Sequence, residues 1–96
     1  MTDEFLDKKR QEIAATDREI MSLLKKRLDL ATEIGRYKAE HNLDVRNFSV
    51  EQKVIERYRA LAEEFDMNPD RTEIICRIIM QESVASESAL KRETHE

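Results

Sequence analysis

The sequence predicts an all-α chain, and three observations carry that prediction. Among 96 residues there is one Gly and one Pro, too few for hairpins and tight β-turns. Apolar residues recur at helical spacing over most of the length. Charged residues make up 40% of the chain and aromatics only 5%, so helix formers dominate. The length suits one domain over residues 1–96, and a single copy would hold only a marginal core.

The first helix is expected from about residue 3 to about residue 41. Positions 6, 10, 13, 17, 20, 24, 27, 31, 34 and 38 alternate steps of four and three, and so share one face. Inside this run nothing breaks a helix except Gly35, and one Gly is tolerated. Such a helix would be about 55–60 Å long, far more than a domain of this size needs. It cannot fold back on itself, so it is expected to pack against another chain.

Residues 42–48 show no helical period and read as a loop. Ser49 then opens a second helix, over about 49–65, with Gln52 at capping-box spacing. Its apolar face is Val54, Ile55, Tyr58, Leu61, Ala62 and Phe65. After a turn at Asp66-Met67-Asn68-Pro69, Asn68 suits an N-cap and Pro69 the first helical position. The third helix is expected over about 69–90, with Ile74, Ile75, Ile78, Ile79 and Val84 inward and the tail 91–96 frayed.

Several function classes are disfavoured. A net charge of −4 argues against general nucleic-acid binding. The lone Cys76 forms no internal disulfide and fits a reducing compartment. No apolar run approaches a membrane span, and the start Met1-Thr2-Asp3-Glu4 is acidic and unlike a signal peptide. A cytoplasmic protein is expected. His41, His95 and Cys76 have no metal-ligand spacing, and there is no Gly-rich phosphate loop or Cys–His or Ser–His arrangement near a turn. An enzyme built on this chain is expected to work without metal, cofactor or covalent nucleophile.

The informative residues are polar ones on apolar faces. Arg10, Asp17, Arg27 and Lys38 interrupt the stripe of the first helix. Buried charges are costly unless paired, so three cations on a core-facing seam call for something anionic. Arg27 and Lys38 lie about 16 Å apart along the axis and nearly in phase, close enough to converge on one small ligand. Arg10 is about 25 Å from Arg27 and cannot reach that ligand from the same straight helix. In an antiparallel pair of helices, Arg10 of one chain approaches Arg27 of the other, building two equivalent sites in a two-fold dimer. On the third helix, the row Ile75, Ile79, Ser83, Glu87 places two polar groups where apolar ones belong.

Each residue also has a plainer explanation. Arg10 can snorkel to water, and Asp17 can pair with a nearby base. Lys38 and Glu51 each sit at the helix end whose dipole favours their charge. Ser83 can bond back to its own helix, and Glu87 can be merely solvated. Taken together, the cations, hydroxyl and carboxyls point to one cavity between helices that binds a carboxylate ligand.

Arg10-x2-Ile13-x3-Asp17-x2-Ile20-x2-Leu23-Leu24-x2-Arg27, followed by Ile34-Gly35-x2-Lys38, resembles the first-helix signature of the all-helical chorismate mutases. Val45-Arg46-Asn47 with Glu51, and Ile78-Ile79-Met80-Gln81-Glu82-Ser83-Val84, match the same family further on. The resemblance covers about residues 6–90. It implies an intertwined two-fold homodimer of three-helix chains. It implies that Arg27 and Arg10 of the partner subunit bind the two carboxylates of chorismate, with Lys38 at a carboxylate and the ether oxygen. Glu51 would hold the ring hydroxyl with Asn47 nearby, Ser83 would contact the ring carboxylate end, and Glu87 would face the ether oxygen opposite Lys38. The chain departs from the common bacterial pattern in having Val50 for an Arg, Glu87 for a Gln and Asn47 for a frequent Asp. The set Asn47, Glu51 and Glu87 is closer to the fungal branch.

The implied reaction is the pericyclic rearrangement of chorismate to prephenate in phenylalanine and tyrosine biosynthesis. It needs no nucleophile, in keeping with the residues present. Isochorismate pyruvate lyases resemble the same family and need a similar cationic pocket, although Glu51 suits the ring hydroxyl of chorismate. A non-catalytic dimeric helical adaptor is the alternative from another class, its seam cations paired between chains with residues such as Asp17 and Glu33.

Overall fold

A computed structural model describes residues 3–94, and side chains through residue 89. Three helices follow one another, with no strand among the described residues: α1 over Glu4–Glu40, α2 over Phe48–Glu64 and α3 over Pro69–Thr94. Of the sequence expectations, Met1, Thr2, His95 and Glu96 lie outside the described residues. No helix among the described residues is long and apolar enough to cross a membrane.

Local chemistry sets the helix ends. Asp3 caps α1, its Oδ1 accepting from the Leu6 N–H at 3.1 Å. α1 and α2 both end in Schellman turns. In these, Asn42 (φ 55°) and Asp66 (φ 56°) take the left-handed position that glycine usually fills. The closing bonds are Leu43 N–H to the Lys38 carbonyl at 2.8 Å and Met67 N–H to the Ala62 carbonyl at 2.7 Å. Asn68 caps α3 through the Arg71 N–H at 3.0 Å, as expected. α2 differs from expectation. Its N-cap is Asn47, whose Oδ1 accepts from the Val50 N–H at 3.2 Å, and Ser49 lies inside the first turn. Both residue types cap well, and the extended backbone at Asn47 decides between them. α3 runs on to Thr94, past the expected end, because nothing in residues 91–94 breaks a helix.

α3 is the shared element. α1 packs on it and α2 packs on it, while α1 and α2 do not pack on each other. Cys76 and Met80, four residues apart, face α2 and form a small core with Ile55, flanked by Val54 and Tyr58. Arg59 ties the α2–α3 hairpin by bonds to Asp70 at 2.9 Å and Glu73 at 3.0 Å. Ile79 and Val84 are half-buried. Ile74, Ile75 and Ile78, expected inward, are instead exposed on the chain, Ile78 by 56%. The helical period groups them correctly, but their face is turned away from the chain's own core.

α1 shows the same mismatch on a larger scale. Every residue from 8 to 23 is exposed, including Ile13 and Ile20 of the apolar stripe. Only the C-terminal half of α1 touches α3, through buried Ala31, Gly35 and Ala39 at four-residue steps. The molecule measures 60 × 28 × 15 Å with a radius of gyration of 17.5 Å. A compact domain of this length would have about 12–13 Å.

At Gly35 the two helices come close together. Its backbone is ordinary helix, so its value lies in space and not in conformational freedom. A Cβ built there would meet the Glu87 Cα at 3.0 Å and Cγ at 3.1 Å. Alanine gains about 1 kcal/mol of helix propensity over glycine. Overpacking against a neighbouring backbone costs about 1–3 kcal/mol. Gly35→Ala is therefore expected to destabilise the protein by about 1 kcal/mol, read as a lower urea midpoint at fixed protein concentration. An unchanged or raised midpoint would show that α1 and α3 can separate without cost.

Candidate active site

Because α1 and α2 both lean on α3 without touching, a wedge remains between them. α3 forms its floor and the 41–47 loop closes one end. This cavity measures about 800 Å³, within the range of small-molecule sites. Its walls are largely apolar, with Leu30 and Ile34 from α1, Val50 and Val54 from α2, and Met80 and Val84 from α3.

Six of the seven residues expected from the sequence line this one cavity: Arg27, Lys38, Asn47, Glu51, Ser83 and Glu87. The seventh, Arg10, does not. It is exposed on the uncovered half of α1, about 25 Å along the helix from Arg27.

The polar groups are already partly organised. Glu87 is 7% exposed and accepts from Lys38 Nζ at 3.2 Å. Lys38 Nζ also donates to the Val45 carbonyl at 2.7 Å. Lys38 therefore pins the loop twice, by its side chain and by its carbonyl in the Schellman turn. Arg27 Nη1 donates to Ser83 Oγ at 2.6 Å, and Ser83 Oγ donates back to the Ile79 carbonyl at 3.2 Å. Beside this pair Thr32 and Ser86 share a hydrogen bond at 3.0 Å across the α1–α3 seam. Asn47 spends its carbonyl oxygen on capping α2.

One participant has no assigned role in the sequence reading. Arg46 grips Glu51 with two bonds, Nε to Oε2 at 3.1 Å and Nη2 to Oε1 at 2.7 Å. This hydrogen bonding holds the Glu51 carboxyl below the usual carboxylate range. Burial opposes the shift, and the positive charges of Arg46 and Lys38 reinforce it. Arg46 sits within the quoted Val45-Arg46-Asn47 motif, but a contact from a loop to the first turn of the next helix leaves no periodic signature.

The charge balance of the cavity is uneven. Glu87 is answered by Lys38 and Glu51 by Arg46. Among the described residues no carboxylate lies within ion-pair distance of Arg27, whose short contact is to a neutral hydroxyl. A half-buried guanidinium beside apolar walls, with no counter-charge, is a ready receptor for an anion. Cys76 does not line the cavity, and burial pushes its thiol up, away from the reactive thiolate.

Comparison with known proteins agrees with this geometry. The model of the chorismate mutase type II family matches residues 9–88. The chain belongs to that family. Curated relatives of this chorismate mutase type II domain include the T-protein of Haemophilus influenzae, 34% identical over 85 residues, covering 88% of this chain and 22% of the relative. The T-protein of Enterobacter agglomerans is 33% identical over 79 residues, covering 82% of this chain and 21% of the relative. The bifunctional chorismate mutase/prephenate dehydratase of Escherichia coli K12 is 28% identical over 81 residues, covering 84% and 21% respectively. The chain thus spans about a fifth of the length of these relatives.

Proposed function

We propose that this chain is a cytoplasmic chorismate mutase, acting as a two-fold homodimer to rearrange chorismate to prephenate in phenylalanine and tyrosine biosynthesis. The observation that carries this reading is the unanswered Arg27 guanidinium in an apolar-walled cavity that also presents Lys38, Glu87 and Glu51. A dicarboxylate with an ether oxygen and a ring hydroxyl suits that set. Family membership supports the reading, and the free Cys76 suits a reducing compartment.

The rearrangement is unimolecular, so the site has to hold one conformer and stabilise one charge. Arg27 and Arg10 of the partner subunit grip the two carboxylates and fold the side chain over the ring. Glu51 accepts from the ring hydroxyl, with Asn47 beside it, and Ser83 steadies Arg27 at the ring carboxylate end. As the C–O bond stretches, negative charge grows on the ether oxygen. The Lys38 ammonium and a protonated Glu87 stabilise that charge more than they stabilise the substrate. Product analysis tests this directly. Chorismate is expected to yield prephenate, with no pyruvate released from isochorismate; pyruvate release alone would make the protein a lyase. Absence of turnover and binding with both substrates would leave a non-catalytic helical adaptor.

The dimer supplies what the protomer lacks. The exposed stripe of α1, with Ile13 and Ile20, and the exposed Ile74, Ile75 and Ile78 offer the apolar area that a second copy covers. An antiparallel partner helix brings its Arg10 toward Arg27 and intertwines the two chains. Arg10→Ala and Arg27→Ala chains are each expected to lose most activity alone. Refolded together, each heterodimer regains one intact site, so an equal mixture is expected to reach about a quarter of the wild-type rate. No recovery, with heterodimers verified by mass spectrometry, would show that Arg10 does not act across the dimer.

Glu87 donates a hydrogen bond only when protonated. Ionised, it would also repel the developing charge. Glu87→Gln supplies a permanent N–H donor of the same shape and is expected to retain activity. Glu87→Ala, which keeps no donor, is expected to lose about 10²–10³ in kcat. Wild-type kcat in Glu87→Ala would remove Glu87 from the ether oxygen.

A further inference from the structure

Arg46 is the one cation lining the cavity for which the proposed mechanism has no use. Its surroundings show that it is built in and not merely nearby. Lys38 fixes the preceding residue through the Val45 carbonyl at 2.7 Å, and the following residue, Asn47, is locked as the α2 cap. The guanidinium lies 4.5 Å from the centre of the Phe48 ring, a stacking distance for a cation on an aromatic face. Held on both sides, it meets Glu51 through two parallel bonds, a geometry that fixes the plane of the carboxylate as well as its charge. The Arg46 side chain is half-exposed while that of Glu51 is only 20% exposed, so the arginine backs the carboxylate from the solvent side.

We infer that Arg46 is a positioning residue, which orients Glu51 and keeps it a pure hydrogen-bond acceptor toward the ligand in the cavity. The inference rests on the proposed role of Glu51 at the ring hydroxyl. A protonated Glu51 would present a donor on one oxygen, and a freely rotating one would offer no fixed acceptor. Arg46 prevents both. Arg46 itself need not touch the ligand.

Other charged groups surround Glu51. Asp44 on the loop, Lys38 and Arg27 on α1, and Glu87 on α3 line the same cavity, and Arg77 on α3 lines the small adjoining pocket that Glu51 shares with Arg46. Arg77 is occupied by Glu73, at 2.8 Å, and Lys38 by Glu87, at 3.2 Å. That leaves Arg46 as the direct partner of Glu51. The sign of the pH effect follows. Glu51 is held ionised to a lower pH than a free carboxylate, so loss of Arg46 lets it protonate at higher pH. The acid limb of kcat/KM then moves upward.

The test uses the full chain with ¹³C-labelled glutamate, the Glu51 carboxyl resonance being assigned by its absence in Glu51→Gln. In Arg46→Ala this carboxyl is expected to titrate at higher pH than in wild type. Arg46→Lys should fall between, because it keeps the charge but loses the fork. With chorismate, Arg46→Ala is expected to lower kcat/KM roughly fivefold and to shift the acid limb in the same direction. In a Glu51→Gln background Arg46→Ala should cost nothing further, since its effect runs through Glu51. Should Arg46→Ala fail to fold, Arg46→Lys reports the same shift at smaller size. An unmoved Glu51 titration overturns the inference, as does a full additional loss in the Glu51→Gln background. The titration needs no substrate. A wild type inactive on chorismate would therefore overturn the proposed function while the Arg46–Glu51 pair is still judged by NMR.

Discussion

The approach of α1 to α3 at Gly35 governs most of what the site can do. Ala31, Gly35 and Ala39 form a strip of minimal side chains, and along it the backbone of α3 comes near enough for Glu87 to sit directly over Gly35. Glu87 then meets Lys38, three residues along α1, and the Lys38 ammonium reaches the loop at Val45. The loop in turn sets Asn47 as the cap of α2 and presents Arg46 to Glu51. A larger side chain in the strip would displace every member of this chain of contacts at once. Glycine is usually a weakness in a helix interior; here its cost is offset by the close approach of α3.

The cavity pairs Glu87 with Lys38 and Glu51 with Arg46, and leaves one guanidinium with only a hydroxyl. That asymmetry is physically sensible for an orienting site. Two of the polar groups are preorganised by partners that need not leave when a ligand enters. The remaining cation is held by a serine that constrains its direction but does not neutralise it. Preorganisation of this kind stabilises charge without rearrangement during the reaction. The wedge shape has the same origin as the packing order: two helices that share a third, but not each other, enclose a space without being forced to fill it.

Much of this was legible in the sequence, and the exceptions have physical reasons. The steps of four and three across α1 located Arg27 and Lys38 on one face, and the row Ile79, Ser83, Glu87 located their counterparts on α3. Asn68-Pro69 marked the start of α3 correctly. Periodicity identifies a face but not its neighbour. Ile74, Ile75 and Ile78 therefore looked like core, and in the folded chain they are surface. Cys76 and Met80, which do form the core, carry no stronger signal than the isoleucines around them. At α2 two good capping residues lay two positions apart, and only backbone conformation chose Asn47 over Ser49. The Arg46–Glu51 fork depends on a loop conformation that no helical period encodes.

The order of helices along the chain has a consequence for synthesis. Side-chain hydrogen bonds within the α2–α3 hairpin join residues 11 and 14 positions apart, whereas those between α1 and α3 span 49 to 56. Loop-closure entropy favours the hairpin, yet α1 leaves the ribosome first. During translation α1 therefore exists for a time as a solitary amphipathic rod, its docking surface not yet made and Ile13 and Ile20 bare. Charged residues of both signs, interspersed over the rest of the rod, keep that surface hydrated while α3 is still to come.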